Sequence, residues 1–76
     1  MNNERNHGAQ PIAAIMERLE LTPHDLVKAS TEQLTHKMVS RAAKGRQLTG
    51  NARGKVLRAL IASSGEPFRT DQLFNY

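Results

Sequence analysis

"LTHKMVSRAAKGRQLT", residues 34–49, decides how the rest of the chain is read. His36, Lys37, Arg41, Lys44 and Arg46 put five basic side chains in sixteen residues, and no acid balances them. Leu34, Met38, Val39 and Ala42 recur at the i, i+3, i+4 spacing that makes one apolar stripe on a helix. Leu34 and Thr35 form an apolar-then-cap start, and Gly45 is placed as a left-handed C′ glycine. The spacing predicts a helix over 36–44 with Leu34, Met38, Val39 and Ala42 inward. His36, Lys37, Ser40, Arg41 and Lys44 then lie on the outer face. An exposed helix face of one charge sign suits a polyanion.

The charge of the whole chain sharpens that reading. The 76 residues carry a net +4 with a sequence pI near 10.1. Between residues 28 and 58 stand Lys28, Lys37, Arg41, Lys44, Arg46, Arg53, Lys55 and Arg58, eight cations against the single acid Glu32, a net +7. The remaining acids lie outside that segment. Such asymmetry is the electrostatic footprint of nucleic-acid binding. The length allows one domain with a small core. Without cysteine there is neither a disulfide framework nor a Cys-ligated zinc site. His7, His24 and His36 are too scattered for a metal cluster, and no metal or other cofactor is expected. The polar start "MNNERNHGAQ" lacks the apolar core of a secretory signal. No stretch approaches the roughly 18 apolar residues of a membrane span.

Working outward from 34–49, the pattern is helical throughout. Residues 1–10 are expected to be a flexible arm and residues 11–76 a single domain. Pro11 at a first helical position, followed by Ile12, Ile15, Met16 and Leu19 on one stripe, predicts a helix over about 11–20. In "LTPHDL", Thr22 is the N-cap, Pro23 suits N1 and Asp25 can close a capping box; Leu21 and Leu26 have staple spacing. This helix is expected over about 22–30. "STEQ" interrupts, since these side chains compete for their own backbone. Thr49 caps a helix over about 50–62, with Val56, Leu57, Leu60 and Ile61 as its buried stripe and Gly54 as a local weakness of about 1 kcal/mol against alanine. "SSGEP" turns the chain into "FRTDQLFNY", with a short turn at 70–74. The chain's only aromatics, Phe68, Phe74 and Tyr76, lie in that tail and are expected to pack as core. The fold class expected is all-α, with four to five helices.

Two short helices joined by a short polar turn, the second basic outside, form a helix-turn-helix pattern. A helix fits the major groove of B-form DNA, where Arg or Lys can pair with guanine O6 and N7. Lys44, Arg46, Arg53 and Lys55 flank the 36–44 helix and would sit near phosphates, which position a protein without reading sequence.

The stretches "LTPHDLVKAS" and "LTHKMVSRAAKGRQLTGNARGKVLRALI" resemble the phage-repressor and Cro type of helix-turn-helix protein, the Xre family. The likeness rests on Leu26–Val27 in the first helix, Leu34–Thr35 before the second, Val39-Ser40-Arg41 within it, Gly45, and Val56 to Leu60. It covers about residues 12–62. The Asp71-to-Tyr76 tail also resembles that of small bacterial proteins of this class. The resemblance implies a lambda-repressor-like fold. It implies base contacts from His36, Lys37, Arg41 and Gln47, and phosphate contacts from Thr22, Thr35, Lys44 and Asn51; Ser40, on the outer face of the 36–44 helix, is a further candidate phosphate contact. It further implies double-stranded DNA as partner, binding as a homodimer on half-sites about one helical turn apart, a transcriptional regulator, and a cytoplasmic location on the nucleoid. The chain departs from the family in two places. The turn lacks glycine and is longer, and Pro23 stands where the family often has Gln.

A second reading makes the scaffold a protein-interaction module or antitoxin-like protein, with a protein partner docking on the aromatic tail. RNA is less favoured, because the basic segment has no aromatic platform for base stacking. No nucleophile lies beside a base and no Gly-rich loop is placed to cradle a phosphate, so neither an enzyme nor a small-molecule ligand is expected.

Overall fold

Three of the helices start where a threonine cap satisfies a free amide of the first turn. The computed structural model describes residues 7–76, and these form five α-helices: α1 Pro11–Arg18, α2 Pro23–Ala29, α3 His36–Lys44, α4 Gly50–Ser64 and α5 Thr70–Leu73. Thr22 caps α2 with a complete capping box: its Oγ1 accepts from Asp25 N, while Asp25 Oδ2 accepts from Thr22 N at 2.7 Å. Thr35 Oγ1 accepts from Met38 N, and Thr49 Oγ1 from Ala52 N, both at 3.1 Å. The domain is all-α, and no described helix is long and apolar enough to cross a membrane.

α1 is shorter than the periodicity predicts. It ends at Arg18 because Glu20 turns left-handed (φ 56°) and Leu21 N closes back on Met16 O at 2.8 Å. No glycine announces that turn. α4 runs two residues longer than expected, to Ser64, and ends on Gly65 at φ 75°.

One core joins all five helices. Ile12, Leu26, Val39, Ala42, Val56, Leu60 and Leu73 are fully buried. α2 packs on both α3 and α4, and α3 also packs on α1 and α4. The tail closes the core as expected: Phe74 is 3% exposed and Phe68 is half-buried against it. Ala59 takes a buried place that the sequence reading gave to Ile61, which is only half-covered.

The turn between α2 and α3 needs no glycine, because side chains hold it. Ser30 Oγ accepts from Glu32 N at 3.0 Å, a serine turn that substitutes for backbone freedom. Glu32 in turn accepts two bonds of 2.7 Å from Arg58 of α4, through Nε and Nη2. Those bonds, with the charges of Arg58 and Lys55, hold the Glu32 carboxyl below its ordinary value of 4.5 against the opposing effect of burial. A carboxyl depressed in the fold stabilises it above the unfolded value and loses that contribution as pH falls through the folded value. The melting temperature of the wild type should therefore exceed that of Glu32→Gln near neutral pH. The gap should close as pH drops from about 5 toward 3, and a gap constant with pH would show that the ion pair adds nothing.

The arm corrects the sequence reading. Residues 1–6 of the expected flexible segment lie outside the described residues, but residues 7–10 are docked. His7 N donates to Gly45 O at 2.8 Å, and the His7 ring stacks on Tyr76 with centroids 4.0 Å apart. Gln10 is 2% exposed and fully bonded: its N donates to Ala43 O, its Nε2 to Gly8 O at 2.9 Å, and its Oε1 accepts from Asn75 N at 2.7 Å. A buried amide with all its partners ties the arm to α3 and to the tail.

Candidate nucleic-acid interface

α3 presents His36, Lys37 and Lys44 as the stripe predicts, while Ser40 and Arg41 of the same face are half-buried. A nine-residue helix is about 13 Å long, and this one has Val39 and Ala42 buried while His36, Lys37 and Lys44 are exposed. Gly45 ends it in the left-handed conformation and throws Arg46 back alongside the helix, with Arg46 N bonded to Arg41 O at 3.0 Å. The result is a shallow groove of about 390 Å³ lined by Lys37, Ser40, Arg41, Lys44 and Arg46. Among the described residues, four cations and a hydroxyl line it and no acid does. Their collective field raises the local concentration of an anionic partner.

Folding sorts seven of the eight cations of residues 28–58 into two groups and leaves Lys28 exposed on α2. Lys37, Arg41, Lys44 and Arg46 gather in the groove. Arg58 is spent on Glu32, whose carboxyl also feels Lys55. Arg53, expected beside a phosphate, is instead turned to the tail. Its Nη1 donates to the Tyr76 main-chain oxygen and its Cζ lies 4.7 Å from the Tyr76 ring centroid. The tail draws it there because the Tyr76 ring is itself anchored: its hydroxyl accepts from Leu48 N and donates to Arg46 O, both at 3.1 Å.

The remaining predicted residues fall as follows. Thr22 and Thr35 are exposed at the starts of α2 and α3, where their hydroxyls act as caps. Asn51 is exposed in the first turn of α4. Gln47 follows α3 in an exposed loop, but its Oε1 is already bonded to His7 Nε2. His36 pairs with His24 across the two helices: Nε2 and Nδ1 are 3.3 Å apart and the rings are stacked within 17°. Asp25 next to His24 has its carboxyl lowered first by the bonds from Thr22 and further by the charges of His24 and Lys28.

The pairing of His24 with His36 and the place of Leu48 beside the cations are not legible in the sequence. Twelve positions separate His24 from His36, and no local pattern links them. Leu48 is missed because an apolar loop residue reads as core; it is 8% exposed, yet with Met38 it borders a second groove beside Lys37 and Arg41. Comparison of the chain with protein-family models, with curated proteins and with solved structures finds no match.

Proposed function

We propose that this protein is a sequence-specific double-stranded DNA-binding protein of the phage-repressor and Cro helix-turn-helix type, acting as a small transcriptional regulator with α3 in the major groove. The observation that carries the reading is the groove on α3, where Lys37, Arg41, Lys44 and Arg46 converge, with no acid among the described residues that line it. Arg41 and Lys37 lie on the part of α3 that would face base edges, and each bidentate pairing with guanine gives about 1–3 kcal/mol of discrimination. Lys44 and Arg46, at the helix end, engage phosphates. Leu73 and Phe74 lie inside the domain, which favours the basic face over the tail as the binding surface. Binding as a two-fold dimer would place two α3 helices in successive major grooves.

Selection from a randomised pool of short duplexes, then titration of the winner at several salt concentrations, tests this. A defined motif is expected. Arg41→Ala should weaken the selected site by about 1–3 kcal/mol and relax the motif at one position, while affinity for random duplex is largely kept. Lys44→Gln should weaken all sequences alike and lower the salt slope by about one. Flat, salt-labile binding with no motif overturns the proposal.

A further inference from the structure

The second groove on α3 has a different chemistry from the first. It holds about 210 Å³ and is lined by Thr35, Lys37, Met38, Arg41 and Leu48. Two cations stand there beside two apolar side chains. Periodicity assigns Met38 wholly to the core. In the fold one side of it packs on the core while the residue stays half-exposed, and it borders this opening. Leu48 comes up from the loop after α3 and is fixed there, since its backbone N–H donates to the Tyr76 hydroxyl. The apolar wall is thus built from two elements and stands next to Lys37 and Arg41.

Of the groups that base pairs display in the major groove, donors and acceptors suit Lys37 and Arg41. The one apolar group there is the C5-methyl of thymine, and an apolar side chain is its natural contact. We propose that Met38 and Leu48 form a pocket for a pyrimidine C5-methyl, so that each half-site contains a thymine adjacent to the guanine read by Arg41. Met38 is then a specificity-determining residue, and the inference rests on the DNA-binding reading above.

The test uses the full chain and the selected duplex, with each thymine replaced in turn by deoxyuridine, which removes only the methyl. At one thymine per half-site the replacement should weaken binding roughly three- to tenfold, as burial of a methyl allows, and other thymines should be indifferent. Putting 5-methylcytosine paired with guanine at that position tells the methyl from the base: binding above that of the unmethylated cytosine duplex is expected. Met38→Ala should bind the thymine and uridine duplexes equally. That comparison is a ratio within one protein and survives a loss of stability. If a motif is selected but every uridine replacement is neutral, the methyl pocket is wrong and the DNA reading stands. If no motif is selected and moderate salt abolishes binding, both fall together.

Discussion

Gly45→Ala is expected to lower the stability of the domain by about 3 kcal/mol, and the melting temperature by roughly 12–24 °C at this chain size. Two costs combine. Gly45 sits at φ 84°, where an L side chain costs about 1–2 kcal/mol. A Cβ there would also lie 1.7 Å from Gly8 O and 2.6 Å from Gly8 C. That neighbour is backbone, so the arm must leave. Its departure breaks the His7 N–H bond to Gly45 O and separates His7 from Tyr76 and Gln47. A net hydrogen bond contributes about 1 kcal/mol, so the sum approaches 3. Gly65→Ala is the control: it has φ 75° but nothing within 4 Å of its would-be Cβ, and should show the conformational cost alone, about 1–2 kcal/mol. Urea melts of both variants decide the matter. Equal losses would mean that the docked arm contributes nothing to stability.

Phe74→Ala is expected to cost about 3–4 kcal/mol. The ring is 3% exposed and meets Tyr76 edge-on, with centroids 5.8 Å apart and planes at 68°. Truncation leaves a cavity between the tail and the helices it closes, and part of the edge-to-face contribution goes with it. Because Tyr76 in turn fixes Leu48 and Arg46 at the end of α3, the loop beside the basic groove should loosen, with faster amide exchange at Leu48. A tail serving only to dock a partner would give a different result: unchanged stability for the free domain and a loss only on mixing with that partner.

Much of this architecture follows from short-range chemistry. Thr22, Thr35 and Thr49 each precede a helix at the spacing a cap requires, and all three accept from the amide three residues on. α3 spans His36–Lys44 as read, because both its cap and its glycine stop are adjacent in sequence. The stripes of Ile12, Leu26, Val39, Val56 and Leu60 become the core, since helical periodicity alone settles which side of a helix is apolar.

The sequence therefore determined the all-helical class, the capped starts of α2, α3 and α4, most of the buried faces and the presence of a basic face on α3. Tertiary structure decided which cations make up that face. Arg53 and Arg58 have the same composition-level claim as Lys37 and Arg41, yet packing delivers them to Tyr76 and Glu32, partners 23 and 26 residues away. It also decided the docking of His7 and Gln10, the pairing of His24 with His36, and the apolar wall of Met38 and Leu48 beside the cations. Caps and stripes act over one or two turns of chain and leave a local pattern, whereas these contacts arise only when the core brings distant segments together.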